Sequence, residues 1–383
     1  MSTKPVYITR SAAFLPNAPV SNDEMERVLG QVGGRPSRAR RTILRSNGIQ
    51  SRHYAIDPET LKPTHNNAQL TAEAVRELGK HYDLTQVTCI ASGTSIPDQI
   101  FPNHAAMVQG ELKLPACEIV ATSGVCVSGI TALKYAYMCV ASGAHEAAIA
   151  TGSEAPSSVL RASHFDAEIE ALVDQLETSP HIAFEKDFLR WMLSDGAGAF
   201  LLQNNPRQGA NNLRVDWIEV FSYAGEMETC MYAGAVKNED GTTTGWAQMS
   251  ADERESVSVM AIKQDVKLLN ENIIRYTVEK PLPGIVEKYQ LRPDDIDYFV
   301  PHYSSEYFRD RLYEGMKKAR FDVPQERWFT NLTRKGNTGA ASMYIMLDEL
   351  VSEQKLKNDQ RILCWVPESG RFSGALMHLT VVK

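Results

Sequence analysis

Thr122-Ser123-Gly124-Val125-Cys126-Val127-Ser128-Gly129-Ile130 places a cysteine where a strand gives way to a helix. Residues 117–121 before it have strand character, and residues 130–140 after it are rich in Ala, Leu, Tyr and Met, which suits a buried helix. A cysteine at a helix N-terminus sits at the positive end of the peptide dipoles, beside N–H groups without helical partners. Both features favour thiolate, so the stretch reads as a nucleophile. A small buried apolar thiol is the other reading the stretch allows.

Outward from that cysteine the chain alternates. Residues 6–13 read as a strand, followed by a turn whose Ser21-Asn22-Asp23-Glu24 caps a helix. Residues 70–78 suit an amphipathic helix, residues 87–91 a buried strand, and residues 104–112 a second helix. Residues 146–154 form a further strand that stops at small residues and one carboxylate, Glu154. This order predicts α/β architecture with a sheet covered on both faces. Residues 155–194 break the rhythm as an insertion, with a helix expected over 166–176. Asp195-Gly196-Ala197-Gly198-Ala199 resumes as a glycine-marked turn and strand, and Asn204-Asn205-Pro206-Arg207-Gln208-Gly209 reads as a linker.

The second half repeats the programme. A helix-rich region over 251–289 leads to a strand over 296–300 that ends at Pro301-His302. A helix bearing Arg309, Lys317 and Lys318 follows, then a strand over 328–332. Lys335-Gly336-Asn337-Thr338-Gly339-Ala340-Ala341-Ser342 then opens a helix running to about residue 351. This unit has the form of the Cys126 unit: a strand, a short polar elbow with glycine, and a helix of small residues. The expectation is a duplication, with halves at 1–205 and 206–383.

Composition limits the function classes. The chain has 383 residues, 43% hydrophobic, enough for one large core or two fused domains. Its six cysteines lack CxxC or paired-His spacing, so the sequence signals neither a zinc site nor a disulfide framework, and the expected setting is a reducing cytoplasm. No apolar run approaches the roughly 20 residues needed to span a bilayer, so no membrane association is expected. A net charge of -7 argues against wholesale nucleic-acid binding. Locally, Arg35, Arg38, Arg40, Arg41, Arg45 and Arg52 crowd one segment, which reads either as a solvated positive face or as a docking patch for an acidic carrier or phosphate.

Cys126, His302 and Asn337 are the polar residues at corresponding strand ends. Ligands of α/β folds gather at the carboxyl ends of strands, so the three can share a pocket despite their separation in sequence. Taken singly, each has a structural reading: buried thiol, loop histidine, helix cap. In carrying all three, the chain resembles the β-ketoacyl-acyl carrier protein synthase III family of the thiolase superfamily. Leu15-Pro16, Gly48-Ile49-Gln50-Ser51-Arg52-His53 and Phe101-Pro102 resemble its N-terminal landmarks. Cys126 matches the nucleophile, Asp195-Gly196-Ala197-Gly198-Ala199 the mid-chain turn, and Pro301-His302 the histidine. Gly336-Asn337-Thr338-Gly339-Ala340-Ala341-Ser342 matches the asparagine motif, and Gly370-Arg371-Phe372-Ser373-Gly374-Ala375-Leu376 resembles the C-terminal glycine loop.

The resemblance implies a five-layered αβαβα thiolase fold, a homodimer, ping-pong acyl chemistry, and neither cofactor nor metal. It implies that Cys126 takes an acyl group from a thioester and that His302 and Asn337 stabilise the enolate of a malonyl or β-ketoacyl extender. It further implies that the N–H groups of Cys126 and Gly370 hold the tetrahedral oxyanion, and that Phe101 reaches the acyl pocket of the partner subunit. The substrates it implies are acyl carrier protein or CoA thioesters. The family's adenine-stacking tryptophan has no counterpart between Arg41 and Arg45, which favours a carrier, and Arg38, Arg41, Arg45, Arg309, Lys317 and Lys318 are candidates to dock it. Within the family the insertion and Glu154 are similar to the branch that closes a cyclohexanedione ring, the precursor of dialkylresorcinols and bacterial stilbenes. There Glu154 could anchor or deprotonate the intermediate. Fatty-acid initiation and acyl transfer to oxygen, nitrogen or sulfur without a new carbon–carbon bond are the alternatives.

Overall fold

A computed structural model describes residues 4–166, 168 and 188–383. In the first half, strands β1 (Tyr7–Phe14), β2 (Cys89–Thr94), β3 (Glu118–Ser123), β4 (Ala147–Glu154) and β5 (Gly196–Gln203) alternate with helices α1 (Asn67–Gly79), α2 (His104–Leu112) and α3 (Val127–Ser142). The second half supplies β6 (Asn212–Ser222), α4 (Val266–Ile274), α5 (Leu282–Tyr289), β7 (Tyr298–Pro301), α6 (Arg309–Lys318), α7 (Ser342–Glu353), β8 (Arg361–Glu368) and β9 (Ser373–Val382). All nine strands join one sheet in the order β3-β2-β4-β5-β1-β6-β9-β8-β7. Read outward from the middle, each half runs first strand, last strand, then the one before it, so the topology repeats. The halves meet where Tyr7 and Ile8 of β1 pair with Arg214 and Leu213 of β6.

The layers follow from strands that are apolar on both sides. In β4, Ala147 and Ile149 face one core while Ala148 and Ala150 face another, as the two-residue period of a strand requires. In β8, Leu363 and Trp365 alternate in the same way with Ile362 and Cys364. The shared central core holds Ile130 and Leu133 of α3 with Tyr344 and Leu347 of α7. Leu70 and Val75 of α1 cover the outer face of the first half; Leu269 of α4 and Leu312 of α6 cover that of the second. The result is the expected αβαβα sandwich. Each fully buried Leu or Ile in it contributes about 1.5–3 kcal/mol of transfer free energy.

Glycines let the central helix reach the site. A Cβ added to Gly129 of α3 or to Gly152 of β4 would lie 2.2 Å from the carbonyl oxygen of Ala340. That spacing brings α3, β4 and the loop carrying Asn337 into backbone contact. Gly152→Ala should therefore destabilise the protein by about 1–3 kcal/mol through overpacking. The expected readout is a lower urea midpoint with an unchanged slope, since the loss lies in the folded state.

Two expectations change. The strand over 328–332 is a single bridge between Trp328 and Phe299. Trp328 is held by its indole N–H on the Val323 carbonyl at 2.9 Å, and four residues later the chain enters a short helix, Leu332–Lys335. Arg52 does not belong to the exposed basic face. It is fully buried, donating to Asn22 Oδ1 at 2.7 Å and to the Trp191 carbonyl at 3.2 Å, and burial lowers its pKa. The helix expected over 166–176 falls, apart from Asp166 and Glu168, outside the described residues. Among the described residues no helix is long and apolar enough to cross a membrane.

Candidate active site

Cys126 caps α3 with helical backbone angles, φ -62° and ψ -31°. The N–H groups on either side of it are taken: Glu368, at the end of β8, accepts from Val125 at 2.9 Å and Val127 at 3.0 Å. A carboxylate from the second half thus fixes the elbow of the first. It also changes the thiol. Burial, then the charges of Glu368 and Glu154, push the Cys126 pKa well above its ordinary value. The expectation of a resting thiolate stabilised by the helix dipole is overturned, because desolvation and two carboxylates outweigh the dipole, and the flanking N–H groups already serve Glu368.

His302 leaves the sheet at the end of β7, its backbone N–H bonded to the Trp365 carbonyl at 2.8 Å. It is 4% exposed, and burial pushes its pKa down to about 4. The imidazole is neutral at physiological pH, so it offers an N–H rather than a charge. Asn337 is stitched to the chain before β5: its N–H bonds the Met192 carbonyl and its carbonyl accepts from Ser194, both at 2.9 Å. Its side-chain Oδ1 accepts from the Gly339 N–H at 2.9 Å, which leaves Nδ2 as the group able to donate.

The three residues line one narrow cavity of about 40 Å³, walled by Met192, Leu269, Ile273 and Phe308. A second cavity of about 390 Å³ is lined by Cys126 and Asn337 with Glu154, Leu193, Ile262, Glu368 and Gly370. Cys126, Met231 and Asn337 belong to both, so the sulfur stands where two chambers meet. Glu154 is buried and no surface carboxylate. It accepts from the Ser95 N–H at 3.2 Å, the Ser95 hydroxyl and the Ala340 N–H at 3.1 Å, and burial pushes its pKa up to about 7. Asp195 acts elsewhere: it accepts N–H bonds from Ala55 and Ser157, tying the turn before β5 to the chain around it.

The remaining candidates are dispersed. Phe101 is 83% exposed and lines neither chamber of this chain. Arg38, Arg41 and Arg45 are exposed, and among the described residues no carboxylate pairs with them. Arg309 is half-buried, donating to Gln325 Oε1 at 2.8 Å and Tyr303 at 3.0 Å, while Lys317 and Lys318 pair with Glu314 and Glu279. Sequence reasoning missed Glu368. Its two partners are more than 240 residues away in the chain, and its only local sign is its place two residues before Gly370.

Comparison with known proteins gives this geometry its relatives. Residues 286–378, which hold His302, Asn337 and Gly370, match the family model for the C-terminal part of 3-oxoacyl-[acyl-carrier-protein] synthase III. The β-ketoacyl-[acyl-carrier-protein] synthase III of Streptococcus equi subsp. zooepidemicus is 25% identical over 355 residues, covering 92% of this chain and 91% of that protein. The protein of the same name from Koribacter versatilis is 23% identical over 98% of both chains. The chain is similar along nearly its whole length to proteins of the β-ketoacyl-acyl carrier protein synthase III family. Solved structures agree on the thiolase fold. The Thermus thermophilus β-ketoacyl synthase III superposes with a TM-score of 0.70 at 22% identity over 97% of both chains. The tetronic acid condensing enzyme AbyA1 gives 0.73 at 18% identity, covering 98% of this chain and 99% of that one. A Xanthomonas campestris OleA structure gives 0.73 at 17% identity over 99% of both chains. The segment carrying Cys126 lies outside the residues matched by the family model.

Proposed function

We propose that the protein is a Claisen-condensing enzyme that works through an acyl-cysteine. The observation that carries this reading is the convergence of the Cys126 thiol, the neutral His302 imidazole and the Asn337 amide, from three distant segments, on one cavity. Cys126 sulfur attacks the carbonyl of an acyl thioester, the thioester carbon–sulfur bond breaks, and the Cys126 proton ends on the departing thiol. The N–H groups of Cys126 and Gly370 hold the tetrahedral oxyanion. The acyl chain then occupies the larger chamber. A malonyl or β-ketoacyl thioester enters the narrower one, where loss of CO₂ from the malonyl group, or of an α-proton to solvent from the β-ketoacyl group, leaves an enolate whose oxygen accepts from His302 and Asn337. Its α-carbon attacks the acyl-cysteine, the acyl–sulfur bond breaks and the Cys126 thiolate is released to take up a proton.

The proposed substrates are carried by an acyl carrier protein or CoA. The unpaired Arg38, Arg41 and Arg45 supply a positive docking face for an acidic carrier. The proposed assembly is a cytoplasmic homodimer in which the exposed Phe101 enters the partner's acyl chamber. Incubation with acyl thioesters should give a one-acyl mass increase on Cys126, followed by a product with a new carbon–carbon bond. Acyl transfer to oxygen or nitrogen alone overturns the condensing reading.

The finer proposal is secondary metabolism with ring closure to a cyclohexanedione, for which Glu154 is the base. It stands in the larger chamber beside Cys126 and Asn337. Its working form is the carboxylate, and its pKa lies near 7. The rate of cyclisation should therefore climb as pH rises towards 7 and level off above it. Glu154→Gln should remove that limb, slow cyclisation on the order of 10²-fold and release linear product. Product analysis across pH 5.5–8.5 checks this; a linear product from the unaltered protein rejects ring closure.

A further inference from the structure

A second group of reactive side chains lies at the far end of α3 from the nucleophile. Cys139 follows Cys126 by thirteen positions, which at about 1.5 Å per residue places it roughly 20 Å away along the helix. Around it stand Cys89, the first residue of β2, Glu118, the first residue of β3, and His145, in the turn between α3 and β4. One ligand atom from each of the four lies within 4.8 Å of the other three. A tetrahedral Zn²⁺ with bonds of about 2.0–2.3 Å holds such atoms roughly 3.3–3.8 Å apart, so closure needs shifts of about 1 Å.

The outer partners are those a metal site needs. Thr88 Oγ1 lies 2.8 Å from His145 Nδ1, which leaves Nε2 facing Glu118 Oε2 at 2.9 Å. With Nδ1–H on the threonine, Nε2 carries the lone pair a metal takes. Tyr135 donates to the other oxygen of Glu118 and holds that carboxylate in place. Two sulfurs and an imidazole suit Zn²⁺ and disfavour the all-oxygen cations Mg²⁺ and Ca²⁺.

We propose that Cys89, Glu118, Cys139 and His145 form a structural Zn²⁺ site. Binding releases the two thiol protons, and three anionic ligands and one neutral imidazole then surround the ion. Four protein ligands leave no open position for a reacting water, which makes the site structural. It ties the first residues of β2 and β3 to the last turn of the helix that carries Cys126. The sequence spacing gave no sign of it because its ligands come from four separate elements.

The full chain, reduced and dialysed free of metal, is titrated with ZnCl₂ and, separately, with CoCl₂. The expected result is one equivalent bound, a rise in Tm with Zn²⁺, and tetrahedral Co²⁺ bands with thiolate-to-cobalt charge transfer. These signals should persist in Cys126→Ala and vanish in Cys139→Ser and in His145→Gln. Both substituted side chains are half-buried, and circular dichroism is to be recorded alongside to check that the variants fold. Absence of stoichiometric binding, persistence of the bands in both ligand variants, their loss in Cys126→Ala, or a Cys89–Cys139 disulfide in the purified protein overturns the proposal.

Discussion

Cys126→Ala should yield no acyl-enzyme by intact mass spectrometry and should lower condensation by on the order of 10⁴-fold or more. The expectation follows from the position of the sulfur at the junction of the two chambers. With the sulfur gone, the acyl group has no covalent anchor between them, and the two-step exchange becomes a direct encounter of two thioesters. The resting thiol is protonated, since burial and the charges of Glu368 and Glu154 raise its pKa. Acylation should therefore quicken with rising pH, because the reactive thiolate fraction grows tenfold per pH unit below the thiol pKa. Retained condensation in Cys126→Ala, without an adduct, would sink the acyl-cysteine reading.

His302→Ala and Asn337→Ala should each slow condensation by about 10²–10³-fold, the loss expected for one oxyanion donor. Cys126 acylation should change far less, because that oxyanion is assigned to the backbone N–H groups of Cys126 and Gly370. The double variant should lose less than the product of the two, since both groups serve one oxygen. His302 titrates near 4, so it stays a neutral donor from pH 5 upwards and contributes no limb to the pH profile in that range. Stopped-flow acylation measured alongside steady-state product formation separates the steps. Equal loss in both steps would place these residues in substrate binding rather than in enolate stabilisation.

Much of the fold was legible because its signals are local. The two-sided apolar runs of β4 and β5, the amphipathic pattern of α1 and the boundaries of α2 depend on residues within a turn or a strand of one another. The short segment at Trp328 misled because its apolar aromatic pair looks like a strand, whereas the indole bond to Val323 and the following helix stop the ladder after one bridge. Arg52 misled for a similar reason. A basic run suggests exposure, but this guanidinium turns inward to Asn22 and the Trp191 carbonyl.

By itself the sequence determined the alternation of strands and helices, the elbow at Cys126 and the placing of His302 and Asn337 as candidates, since each lies at the end of an element with a readable pattern; the αβαβα order came from the family resemblance. Only the tertiary structure decided the protonation of the site. The Cys126 thiol is raised, the His302 imidazole neutral and the Glu154 carboxyl near 7 because burial withdraws solvent from all three and Glu368 arrives from the opposite half. Desolvation and charges brought close by folding have no signature in residue order. The cluster of Cys89, Glu118, Cys139 and His145 was hidden for the same reason: its neighbours in space are strangers in sequence.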